Sequence, residues 1–216
     1  MRVEFPSTLW SNIARAADGS ARAMNRFAGI YRPVIERLAH AKGFSSADAD
    51  DLAQDVLVAL CDAAFLASAD RDQGRFRDLV FSVARNKMRE AWRRRGRRKE
   101  APLAEATDPA DDLRLAEDYA RLWRQQLVQL AMERLARAES ADPHPPYHTV
   151  LRRHRLDGVP IADLARELAT DVVNVKNWLK RGKQRLAGHI REVVRSYSSS
   201  RGEFEDELAL FSRGTE

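Results

Sequence analysis

Apolar residues recur at three- and four-residue intervals along much of this chain, and that period more than anything else limits what it can fold into. Phe27, Ile30, Tyr31, Val34, Ile35 and Leu38 form one stripe between Ser20 and Lys42, the mark of a helix with one face toward a core. Gly43 ends it, and Ser45-Ser46 supplies caps for a second helix from Ala47 to Leu66. That helix turns Leu52, Val56, Leu60 and Ala63 inward and Asp48, Asp51, Asp55 and Asp62 outward. After a turn at Asp72-Gln73-Gly74, a helix from Arg75 to Arg95 buries Phe76, Val80, Val83 and Ala84 before becoming wholly basic. Ser7-Thr8 caps a further helix from Leu9 to Ala17. The fold class is all-α.

The helical period lapses over residues 96–112, where Gly96, Pro102, Thr107, Asp108 and Pro109 replace it. A flexible linker over 99–112 therefore separates a domain spanning 1–98 from a second spanning 113–195, with a tail over 196–216. The second domain opens with a long helix from Asp111 to Ala138 carrying Leu115, Tyr119, Leu122, Leu127, Leu130 and Leu135, and Asp142-Pro143-His144-Pro145-Pro146 breaks it. Shorter helices follow at Tyr147–Leu156, Pro160–Leu168 and Val172–Val194, with turns at Asp157-Gly158 and over Ala169–Asp171. The last two helices have helix-turn-helix spacing. The tail carries Glu203, Glu205, Asp206 and Glu207 beside Phe204, Leu208, Leu210 and Phe211, a short amphipathic helix in need of a partner.

At 216 residues the chain holds two small cores. With 44% hydrophobic and 32% charged residues, it has the balance of a folded soluble protein. Uncharged stretches such as Val56–Leu60 are too short to cross a bilayer, and the N-terminus has no signal-peptide core, so a cytoplasmic protein is expected. Cys61 is the only cysteine; it forms no intrachain disulfide and reads as a plain buried thiol. Net charge is +5, a mild excess, but its distribution is uneven. Arg85–Lys99 holds nine basic residues against Glu90, whereas Ser46–Asp72 holds seven aspartates against Arg71. The first segment suits phosphate and the second a basic protein surface.

Enzyme readings find little support. Asp48, Asp51 and Asp55 lie on one helix face with no histidine beside them, His40, His144, His148, His154 and His189 are scattered, and no phosphate-binding loop or nucleophile motif occurs. No catalysis, metal or cofactor is expected. The arginine-rich helix end admits contact with nucleic acid, with a polymerase or membrane surface, or with solvent alone. Trp92 is the only large apolar residue near it, which disfavours a membrane, while Asn86, Lys87, Arg89, Trp92 and Arg93 offer edge contacts and stacking for unpaired bases. In DVVNVKNWLKRGKQRL, Val175, Leu179 and Leu186 face a core, and Asn174, Lys176, Asn177, Lys180, Arg181, Lys183 and Arg185 are placed for DNA; a solvated basic face is the plainer alternative.

Three of these segments together resemble a known family. DADDLAQDVLVAL and GRFRDLVFSVARNKMREAWRRR resemble consecutive helices of the first domain of extracytoplasmic-function (ECF) sigma factors of the sigma-70 family, and IADLARELATDVVNVKNWLKRGKQRL resembles the helix-turn-helix of the second. The resemblance implies a factor that binds core RNA polymerase, at the β′ clamp helices and β flap, and directs promoter-specific initiation. Carried over by position, it implies that Asp48, Asp50, Asp51, Gln54 and Asp55 face the β′ clamp helices. It places Arg85, Asn86, Arg89, Glu90 and Arg93 near the −10 element, to which the basic chemistry adds Lys87 and Trp92. Near the −35 element it places Asn174, Lys176, Asn177, Lys180 and Arg181, flanked by Lys183 and Arg185. Leu79, Val173 and Trp178 depart from the tryptophan, glycine and arginine common in the family, and the last two alter the recognition helix. The opening segment, the long helix and the closing FEDELALF look like a subgroup encoded beside Ser/Thr protein kinases, so an anti-sigma factor or such a kinase is a further partner to consider. Two rivals stand beside this reading: a stand-alone helix-turn-helix regulator and a sigma-like interaction protein. The tail is expected to dock back on the protein, its acids meeting the arginine run or the recognition helix, with Ser196, Ser198, Ser199 and Ser200 as phosphorylation sites.

Overall fold

The computed structural model describes residues 21–62, 76–97, 109–198 and 200–212, and these form eight helices and no strand. The helix expected at Leu9–Ala17, the turn at 72–74, Ala63 and most of the linker lie outside the described residues. The chain divides into two compact units, one of Met1–Gln126 with Tyr197–Glu216 and the other of Leu127–Ser196. The sequence expectation set the boundary at the linker over 99–112; the packing sets it within the long helix. The apolar stripe continues unbroken there, and only its partners change.

The first unit contains α1 (Ala21–Ala41), α2 (Ser46–Leu60), α3 (Phe76–Arg97), α4 (Pro109–Ala141) as far as Gln126, and α8 (Arg201–Ser212). The turn between α1 and α2 needs Gly43, whose φ is +80°, because its backbone hands Phe44 N–H to Ala39 C=O at 3.1 Å. Ser45 then caps α2 by accepting the Asp48 N–H at 3.2 Å. Helix α2 ends at Leu60 with Cys61 as its C-cap, six residues before the expected Leu66. Cys61 is half-buried, and burial pushes its thiol pKa up.

Proline 33 lies inside α1 and has no N–H for the carbonyl of Gly29 one turn back. Gln126 of α4 supplies the missing donor, Nε2 to Gly29 O at 3.4 Å, while its Oε1 accepts Arg37 Nη2 at 2.6 Å. The core beside it is aromatic. Trp123 stacks on Tyr31 at 5.0 Å and meets Tyr197 edge-on at 5.5 Å, and all three rings are buried. The tail closes this core. Glu207 of α8 is 1% exposed, accepts hydrogen bonds from Trp123 Nε1 and Tyr197 Oη, both at 2.9 Å, and pairs with Arg77 Nη1 at 3.0 Å. The tail does dock back as a helix. Its buried acid meets Arg77 at the start of α3, rather than the arginine run or the recognition helix.

The second unit contains the rest of α4, α5 (Tyr147–Arg155), α6 (Ile161–Glu167) and α7 (Val172–Tyr197) to Ser196. Leu135, Tyr147, Val150, Leu151, Leu164, Val175, Trp178 and Leu179 form its core. Pro146 cannot cap α5 with a side chain, and Glu139 of α4 does so instead, accepting from His148 N at 2.5 Å and Thr149 N at 3.2 Å. Gly158, at φ +70°, reverses the chain after α5. Helices α5 and α7 approach closely at Gly182, where a methyl group would come within 3.2 Å of the Leu151 side chain and 3.3 Å of Tyr147 O.

Candidate nucleic-acid interface

On α2 the core residues Ala49, Leu52, Ala53, Val56, Leu57 and Leu60 are buried, leaving Asp48, Asp50, Asp51, Gln54 and Asp55 exposed. They are not equivalent. Asp50 pairs with Arg32 of α1, and Asp48 accepts from Ser45 Oγ within the helix cap. Asp51, Gln54 and Asp55 continue one outward stripe that reaches Val58, itself 65% exposed. Beside that stripe a groove of about 280 Å³ runs between α2 and α3, with Asp48, Asp51 and Asp55 on one wall and Lys87 and Arg94 on the other. Among the described residues, no group of His, Cys, Asp or Glu side chains is arranged to hold a metal ion.

Helix α3 buries Val80, Val83, Ala84 and Met88, which turns its basic residues outward from Arg85 on. Asn86, Glu90 and Arg93 are exposed; Arg85, Lys87, Arg89 and Trp92 are half-buried. Trp92 leans on Phe44, ring centroids 5.7 Å apart and tilted by 38°, so part of the ring is already engaged. Glu90 pairs with Lys87 at 3.8 Å and Arg94 at 3.7 Å. Arg89 and Arg85 share one carboxylate from α4. Arg89 Nη2 lies 2.8 and 2.6 Å from the two Asp112 oxygens, and Arg85 Nη1 lies 3.6 Å from one of them.

The helix-turn-helix is built by α6, a tight turn and α7. Ala165 is buried, and Thr170 N–H bonds its carbonyl at 2.9 Å across Ala169, which adopts φ +48°. Asp171 caps α7, accepting Asn174 N–H at 2.6 Å. Val175, Trp178, Leu179 and Gly182 face inward, while Asn174, Lys176, Asn177, Lys180, Arg181, Lys183 and Arg185 are all exposed. Two of these have local partners. Asn174 Nδ2 donates to Thr170 Oγ1 and Asp171 Oδ2, each at 3.1 Å, and the Arg185 guanidinium lies 4.8 Å above the Tyr147 ring. Trp178, expected to alter the recognition surface, belongs to the core and meets the His144 ring edge-on at 5.3 Å.

Residues 28–98 match the model of sigma-70 region 2, and residues 144–186 match that of sigma-70 region 4. The two matches together span more than half of the chain, in the order and spacing of the ECF type. The chain belongs to the sigma-70 family. No curated protein matches it. Region 2 covers most of α1 with α2 and α3, and region 4 covers α5, α6 and more than half of α7. This is a family of transcription initiation factors rather than of enzymes, and its two regions imply binding to core RNA polymerase and promoter DNA. Among the described residues, no helix is long and apolar enough to cross a membrane.

Two sets of contacts in this sigma-70 member go beyond the sequence expectations. Asp112, between the two matched regions, sits on the arginines nominated for DNA; Trp123, Tyr197 and Glu207, outside the matches as well, close the first unit around Arg77. The candidate modification sites also differ in surroundings. Ser198 is buried, Ser196 Oγ donates to Val193 O at 2.7 Å, Ser200 Oγ caps α8 by accepting Glu203 N–H at 3.1 Å, and Ser199 lies outside the described residues.

Proposed function

We propose that this sigma-70 member docks on the β′ clamp helices of core RNA polymerase through α2, captures the −10 element along α3 and anchors the −35 duplex with α7. The observation that carries this is the segregation of charge. Exposed carboxylates gather on α2, while half-buried and exposed cations gather on α3 from Arg85 to Arg94 and exposed cations on the outward face of α7. Each face has a partner of opposite sign: a basic protein surface for α2 and phosphate for the other two. On α2 the docking function falls chiefly to Asp51, Gln54 and Asp55, since Asp48 and Asp50 already serve the helix cap and Arg32. On α7, Lys176, Lys180, Arg181 and Lys183 hold phosphates or base edges, with Asn177 among them. On α3, Asn86 and Arg93 are open to DNA at once, and Arg85 and Arg89 become so when Asp112 yields.

The acidic face distinguishes this function from that of a stand-alone DNA-binding regulator, which has no use for it. Asp51→Arg combined with Asp55→Arg should abolish association with core polymerase and leave the helical circular-dichroism signal unchanged. Retained core binding by the folded double variant would refute the assignment of this face.

A further inference from the structure

Recognition-helix side chains split into those that hold the turn and those that stand free of it. Asn174, the polar residue nearest the start of α7, is engaged with Thr170 and Asp171. Beside it stands an apolar residue in a polar setting. Val173 is 65% exposed at the second position of the helix, and Val172 before it is 39% exposed. The buried stripe runs through Val175, Trp178, Leu179 and Gly182. At 100° per residue, Val173 falls opposite that stripe, on the same outward line as Lys176, Asn177 and Lys180, three, four and seven positions on.

A valine so placed cannot bind phosphate, yet the residues along its line are cations and an amide suited to DNA. The first turn of a recognition helix is the part that reaches base edges. In the major groove the one apolar feature a base pair displays is the thymine C5-methyl group. We infer that Val173 is a specificity-determining residue, packing on a thymine methyl in the duplex that α7 reads. Asn174, in this arrangement, stiffens the helix start that presents it. The inference rests on the assignment of α7 to duplex DNA.

The test uses the full-length protein with core polymerase. Duplexes are selected from a randomised pool, and each thymine of the selected site is replaced in turn by deoxyuridine, which removes the methyl group alone. At one position the replacement should weaken binding about fourfold, the worth of one buried methyl group. Val173→Ala should bind the thymine and deoxyuridine duplexes equally, and its own fold is not at risk because the side chain is exposed. Deoxyuridine tolerated at every position, a selected site without thymine, or a Val173→Ala variant that keeps the discrimination would each overturn the inference. Lys180→Ala separates this from the underlying assignment. If it weakens binding to all sequences while deoxyuridine is neutral, only the role of Val173 fails. If Lys180→Ala binds like the wild type, α7 is not the reader and both fail.

Discussion

Replacing Glu207 with alanine tests whether the C-terminal helix is integral to the first unit. The carboxylate is 1% exposed, and it satisfies Trp123 Nε1 and Tyr197 Oη and faces the guanidinium of Arg77, a residue 6% exposed. Alanine removes the buried counter-ion of Arg77 and leaves it the exposed Asp78 carboxylate, 3.6 Å from its Nε, as partial compensation; breaking a buried pair outright costs about 3–5 kcal/mol, so the loss lies toward the lower end of that range. The Trp123 and Tyr197 donors lose their acceptor at the same time, although Tyr197 can regain water if α8 detaches. Against a domain stability of about 5–15 kcal/mol, this loss lowers the urea midpoint of the first unit severely. The second unit contains none of these residues. Glu207→Gln keeps an oxygen for the two donors and should fall between; adding Arg77→Met to it should recover much of the deficit by removing the orphaned charge. A loss below about 1 kcal/mol for Glu207→Ala, the range of an exposed pair, would show that α8 does not close the core.

Asp112→Asn frees Arg85 and Arg89 for phosphate and should tighten binding of single-stranded −10 DNA at low salt. A half-exposed pair is worth about 1 kcal/mol or less, hence up to roughly fivefold, and the gain should shrink as salt rises; weaker binding would mean that Asp112 positions the arginines instead. Burial raises the pKa values of Tyr31, Tyr119 and Tyr197 in the core of the first unit, with neighbouring acidic groups adding to the shift. Raised folded-state values mean stability that is intact below the ordinary value of 10.0 and lost as pH climbs beyond it. Tyrosinate absorbance and loss of helix should therefore appear together above that pH, and tyrosinate titrating at its ordinary value with the helices intact would refute the burial.

Most helices were legible because period, cap and breaker agree. Gly43, Ser45, Gly158 and Asp171 stand where the backbone turns or needs an acceptor, and α5, α6 and α7 follow the apolar spacing to within a few residues. The unit boundary was not legible, since Leu122 and Leu127 continue one helical stripe and only tertiary packing sends them to different cores. Candidate site residues were legible by charge but not by availability. Asp50, Asn174 and Arg89 read as free groups in sequence, and each is engaged by a residue that sequence alone does not bring near, Asn174 excepted, whose partners lie three and four positions back. Glu207 had a signal of its own: in helical register it shares a face with Phe204, Leu208 and Phe211, unlike Glu205 and Asp206, which are exposed.

The contacts on α3 divide by burial, and that division decides which can exchange with DNA. Arg77, at its start, faces a carboxylate sealed from solvent among three aromatic rings, where added salt screens little and a phosphate has no route in. Arg85 and Arg89, further along, face Asp112, whose side chain is 34% exposed and stands in the first turn of α4, where the helix dipole favours a negative charge. A nucleic-acid phosphate offers the same guanidinium groups the same bidentate chemistry at the same single charge, without the constraint of a helix end. Arg77 and Glu207 therefore act as scaffold, holding α3 whatever is bound. Asp112 is the exchangeable partner, so that under the proposed capture of a strand along α3 a phosphate would compete with the first turn of α4 and with no other acid observed on Arg85 or Arg89 among the described residues.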